Sequence, residues 1–123
     1  MPVGNYNKMD IRFVDPEEVP QSPEDVRIRE IRPEVYNDGR RVRVWIELTP
    51  FQVPPNLEVE VYDSDGLIVT SASVIEPVDH RMSMTLHLRG EDVHGEYLLR
   101  VSVGYPDENP VDRQEVHFRN LAE

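Results

Sequence analysis

The chain has no cysteine, a single tryptophan, one lysine among thirteen basic residues, and no long apolar run. Each absence excludes something. Without cysteine there is no disulfide framework, no thiol nucleophile and no thiolate zinc site, so the fold must rest on its core alone. At 123 residues it can do so, because a chain of this size buries roughly two-thirds of its unfolded surface. No stretch approaches the roughly 20 apolar residues of a membrane-spanning helix. The opening residues, MPVGNYNKMDIRFVDPEE, also lack the apolar segment of a secretory signal. The expectation is a soluble, cytoplasmic protein. Its net charge of −11 argues against nucleic acid and membrane as main partners, since both demand a basic footprint.

The sequence also lacks the furniture of catalysis. It has no glycine-rich phosphate loop and no glycine-flanked serine elbow. The four histidines (His80, His87, His94 and His117) do not show the short helical or hairpin spacing of a metal motif. Carboxylates are plentiful, but nothing in their spacing marks an acid–base pair within a cleft. The expectation is a non-enzyme without a cofactor.

What is present is β structure. Residues 1–24, with four prolines and little periodicity, read as an acidic and mostly disordered arm. Only Ile11 to Val14 within it could form a short edge strand. From residue 25 to 119 short alternating segments are separated by turn chemistry, and 120–123 form a tail. Seven strands are predicted over residues 26–31 (ended by Pro33), 40–49, 57–62, 67–74, 82–88, 96–103 and 113–118. Asn37-Asp38-Gly39 and Asp63-Ser64-Asp65-Gly66 supply residues that tolerate positive φ in tight turns. No apolar i, i+3, i+4 pattern persists long enough for a helix. Seven short strands with turns at near-regular intervals indicate an all-β, seven-stranded antiparallel sandwich.

Alternation assigns an inward layer: Val42, Val44, Ile46, Leu57, Val59, Val61, Met82, Met84, Leu86, Leu88, Tyr97, Leu99, Val101, Val103, Val116 and Phe118. Ile28 and Ile31 lie three apart, which implies a β-bulge in the first strand.

The segment EDVHGEYLLRV, residues 91–101, places an acid, then Gly95, then Tyr97 before alternating apolar residues. It resembles the tyrosine corner of immunoglobulin-like and fibronectin type III-like sandwiches, in which the tyrosine hydroxyl bonds back to the preceding connection. With LEVEVYDSDGLIV, residues 57–69, the chain is also similar to immunoglobulin-like domains of bacterial surface proteins and macroglobulins. The resemblance covers residues 25–119 and implies a fold shared by many unrelated functions. The chain departs from it in having no cysteine pair and in placing its tryptophan outside the core.

Three candidate sites follow. Charge is unevenly spread: residues 26–48 carry six arginines and four acids, 6 − 4 = +2, whereas residues 49–123 carry five bases and fourteen acids, 5 − 14 = −9. Within the basic stretch, alternation puts Arg41, Arg43 and Trp45 on the outer face, with His87 on the neighbouring strand. Arginine and tryptophan are the residues enriched in interface hot spots. Against this, the arginine stems can simply lie along the indole, or the acidic arm can cover it. At one end of the sandwich the turns would gather Asp38, Asp63, Asp65, Glu91 and Asp92. Such a cluster could hold calcium, unless these residues serve only as turn formers. At the other end the proline-braced loop PFQVPPN brings Phe51 near Tyr105, either as a binding loop or as a cap on the core.

The functional expectation is a non-catalytic protein-interaction module. The alternatives are a calcium- or carbohydrate-binding accessory module and an intracellular protease inhibitor. A protein partner is expected, and weak self-association would run through a sheet edge or the arm.

Overall fold

The structure, a computed structural model, describes residues 18–90 and 92–121. It contains seven strands: β1 (Ile28–Val35), β2 (Arg41–Leu48), β3 (Asn56–Tyr62), β4 (Ile68–Ile75), β5 (Arg81–His87), β6 (Gly95–Gly104) and β7 (Asp112–Asn120). They form two antiparallel sheets, one in the order β1-β2-β5 and the other in the order β4-β3-β6-β7. Among the described residues no helix is long and apolar enough to cross a membrane.

The alternation in sequence is the alternation in space. Along β2, Val42, Val44, Ile46 and Leu48 are buried and the residues between them are not. Leu57, Val59 and Val61 meet them from β3, and Tyr97, Leu99, Val101 and Val103 from β6. Met82, Met84, Val116 and Phe118 flank this layer, partly covered. The bulge implied by Ile28 and Ile31 is present. The register of β1 against β2 slips between Ile28 and Glu30, so both isoleucines face inward.

The tyrosine corner is also present. The Tyr97 hydroxyl donates to the Val93 carbonyl at 2.6 Å, and the ring stacks on Phe118 at 5.3 Å. The same carbonyl accepts a second bond from Asn120 Nδ2 at 2.7 Å, and Asn120 also donates to the Gly39 carbonyl at 2.8 Å. Asn120 is fully buried. It therefore belongs to the sandwich rather than to a tail, and it ties the end of β7 to two connections at once.

Two further boundaries move. Pro33 does not end the first strand, which runs on to Val35 with Pro33 opposite Val44. β1 is an edge strand, where a residue without an N–H is tolerated. The arm was expected to reach residue 24, but residues 18–24 are held against the sandwich. The Gln21 N–H donates to Pro50, and the Gln52 N–H donates to Gln21, both at 2.9 Å. A short 3-10 turn, Pro23–Asp25, then leads into the fully buried Val26. The proposed strand at Ile11 to Val14 lies outside the described residues.

The two long sides of the sandwich are closed differently. Where β1 meets β7, the Ile28 N–H donates to Asp112 Oδ2 at 2.8 Å and Gln114 Nε2 donates to the Ile28 carbonyl at 2.7 Å. Where β4 meets β5, the flank is apolar: Val69, Ala72, Val74, Met82 and Met84 are only partly buried.

Candidate functional site

β2 is the central strand of the three-stranded sheet, so its outward residues have neighbours on both sides. Trp45 lies between Arg32 of β1 and Ser83 of β5, Arg43 between Glu34 and Thr85, and Glu47 between Glu30 and Arg81. His87 stands opposite Arg41. The indole is partly buried because two guanidinium groups lie over it, that of Arg32 at 5.2 Å and that of Arg43 at 5.1 Å from the ring centroid. Cation–π contacts of this kind contribute about 0.5–1 kcal/mol at exposed sites. Beside them Arg41 covers the Tyr36 ring at 4.3 Å. The Tyr36 and Thr85 hydroxyls are 3.0 Å apart. The hydrogen bond with Thr85, with Arg43 and Arg41 nearby, holds the Tyr36 phenol below its ordinary value against a smaller opposing effect of burial.

Two donors on this face lack acceptors. The indole Nε1 and Arg43 Nε are buried, with no hydrogen-bond partner. A buried donor left unsatisfied costs about 1–3 kcal/mol. At the far end of the face the charges are paired: Arg29 Nη1 lies 3.3 Å from Glu47 and 3.5 Å from Glu18, and Arg81 Nη2 lies 3.1 Å from Glu18. Further ion pairs lie across the face, Arg41 Nε with Asp38 at 2.8 Å and Arg32 Nε with Glu30 at 3.9 Å, so Arg43 and Trp45 sit among paired charges. A shallow cleft beside the indole is lined by Arg32, Trp45, Met82 and Ser83.

The sequence pattern located Arg41, Arg43, Trp45 and His87 on this face. It missed Arg32 and Tyr36. Reading Pro33 as a terminus cut the strand short, although the Ile28/Ile31 bulge already turned Arg32 outward.

The acidic turns use their carboxylates locally. Asp38 Oδ1 accepts the Arg40 N–H at 2.9 Å, and Asp38 Oδ2 accepts from Arg41 Nε at 2.8 Å. Asp63 Oδ1 accepts the N–H groups of Asp65 at 2.9 Å and Leu67 at 3.0 Å. Asp92 Oδ1 accepts the His94 N–H at 3.1 Å. These backbone bonds are the main reason that Asp38 and Asp92 sit below the usual carboxylate range. Among the described residues no three acids or histidines are grouped as metal ligands, and Glu91 lies outside those residues.

At the opposite end Phe51 packs against the core as a cap. The Tyr105 hydroxyl donates to the Val53 carbonyl at 2.8 Å, and burial pushes its phenol up. Of this loop it is Val53, 46% exposed, rather than Phe51 that projects.

No family model and no curated protein matches the chain. Solved structures do match it. A glycosyl hydrolase family 2 member from Bacteroides cellulosilyticus superposes with a TM-score of 0.59 at 12% identity, over 77% of this chain and 14% of that one. A Bifidobacterium dentium β-glucuronidase gives 0.60 at 11% identity, over 77% and 18%. A Lactobacillus rhamnosus β-glucuronidase gives 0.56 at 17% identity, over 77% and 16%. At these identities the likeness shows a shared sandwich fold, and the chain spans less than a fifth of the length of those proteins.

Proposed function

We propose that the chain is a non-catalytic interaction module and that the Arg32–Trp45–Arg43 face of its three-stranded sheet binds a protein partner. The observation that supports this most is an indole flanked by the guanidinium groups of Arg32 and Arg43 on the outer face of the sheet, beside a shallow cleft. A partner segment offering carboxylates would meet the guanidinium groups of Arg32 and Arg43. The indole and the guanidinium stems would supply the apolar contact, in the composition that dominates interface energetics. Trp45→Ala tests the reading. The variant should unfold within about 1 kcal/mol of wild type, as surface substitutions do, yet lose a partner that wild type captures. Trp45 is the only indole, so its emission should also shift as the purified partner is titrated in. Unimpaired partner binding by the variant refutes the assignment.

A second reading, a carbohydrate-binding accessory module, is favoured by the occurrence of matching sandwiches within glycoside hydrolases. An open aromatic platform would suit it better than an indole already overlaid by two guanidinium groups. Saturable change of Trp45 emission with oligosaccharides, in the absence of any protein partner, would favour it over the first.

A further inference from the structure

Four strands lie at sheet edges, and three of them carry the residues that discourage pairing with another chain. β1 contains Pro33 with Glu30, Arg32 and Glu34. β5 is bounded by Arg81 and His87. β7 carries Arg113, Glu115 and Arg119. Charge and proline on an edge are how sheets avoid adding strands. β4 has neither. Residues 67–75, LIVTSASVI, hold no charge and no proline. Of the seven large hydrophobic residues exposed among those described, four lie on or beside this strand: Leu67 at 64%, Ile68 at 52%, Ile75 at 64% and Val78 at 100%.

The register of β4 makes the edge self-complementary. Val61 pairs with Thr70 but Tyr62 pairs with Ile68, so Val69 is an extra residue in a bulge. Thr70, Ala72 and Val74 then point inward, while Ser71, Ser73 and Ile75 point outward together with Ile68. Apolar residues thus stand at both ends of the outward row and serines at its centre.

We infer that two copies of the chain join β4 to β4, antiparallel, about a twofold axis at Ala72, making one eight-stranded sheet. An axis perpendicular to the sheet at that residue sets Ser71 opposite Ser73 of the second copy and Thr70 opposite Val74. Each Ile75 then meets the Ile68–Val69 bulge of the other copy. The occupant is a second copy because the edge is complementary to itself. Each molecule carries −11, and an uncharged strand lets two such molecules approach with the least repulsion. The Arg/Trp face lies on the other sheet and remains free in this dimer.

Sedimentation across the micromolar range tests the inference. Wild type should pass from monomer to dimer, and the β4 amides should exchange more slowly as concentration rises. The double substitution Ser71→Lys, Ser73→Lys should change thermal unfolding of the monomer little, because the new ammonium groups face Glu60 and Glu58 on β3 and replace the bonds from Ser73 Oγ to Glu58. It sets lysines against lysines across the axis and should weaken association at least about tenfold. Ile75→Asp should do the same by a different chemistry, and Trp45→Ala should leave association intact. A wild type that stays monomeric throughout, or a dimer disrupted by Trp45→Ala but not by the lysines, overturns the inference.

Discussion

Where β1 meets β7, Asp112 and Gln114 reach across and bond both polar groups of Ile28; where β4 meets β5, the two sheets meet through methionine, valine and alanine that water still touches. Both sides come from the same kind of alternating sequence and enclose the same core. The difference lies in a few polar side chains placed at strand ends. One side satisfies the backbone of Ile28 internally, and the other leaves an uncharged strand at the sheet edge. A sandwich can therefore be sealed on one flank and adhesive on the other without any change of fold.

The largest expected effect contrasts core residues from the two flanks. Ile28 is 4% exposed on the sealed flank, and Ile28→Ala should cost about 2–5 kcal/mol through loss of burial and the cavity left behind. Met84 is only partly buried on the open flank, and its flexible side chain packs adaptively, so Met84→Ala should cost clearly less. Urea unfolding of both variants measures the difference. Equal losses would mean that the open flank is packed as tightly as the sealed one.

The seal itself comes next. Asp112→Ala removes the acceptor of the Ile28 N–H and leaves a partly buried donor unmet. The expected loss is about 1–3 kcal/mol, with faster amide exchange at Ile28. A variant as stable as wild type would show that the backbone there is satisfied by other means and that the flanks differ less than their hydrogen bonds suggest.

Much of this was legible in the sequence, and the reason is local. Period-two alternation reports which face each residue occupies, so β2, β3 and β6 could be read residue by residue. The Ile28/Ile31 spacing disclosed a bulge, and Gly95 before Tyr97 disclosed the tyrosine corner. Hydrogen bonds between residues far apart in the chain were not legible. Nothing near Asn120 announces that its amide reaches Gly39 and Val93, and nothing near Asp112 announces Ile28. Pro33 misled because a proline that ends a central strand can sit within an edge strand, and only the sheet order tells the two apart. The candidate face was half visible: β2 gave Arg41, Arg43 and Trp45 by parity, whereas Arg32 and Tyr36 depended on where β1 ended. The acidic turns could be read either as a calcium site or as turn formers because the residues that ligate calcium also close tight turns.

The smallest expected effect separates the two halves of the four-stranded sheet by pH. Tyr97, stacked against β7, has its phenol raised chiefly by burial and secondarily by the charges of Asp63 and Asp92. Tyr62, on the β3 strand that adjoins β4, is raised chiefly by the hydrogen bond it donates to Glu60 at 2.9 Å. A phenol whose value is higher folded than unfolded keeps its proton longer in the folded state. Its contribution is therefore complete below the ordinary tyrosine value of about 10 and is lost as pH climbs through the folded value. Wild-type stability should fall on that alkaline limb. Glu60→Gln should flatten only the part due to Tyr62. Tyr97→Phe should flatten its own part, leaving that of Tyr105, which burial also raises, and should lower stability at neutral pH because the bond to Val93 is lost. Urea midpoints followed from neutral pH to about pH 11 read both effects. An alkaline limb unchanged in Tyr97→Phe would mean that water reaches the tyrosine corner, and the sealed flank would then be less dry than the open one.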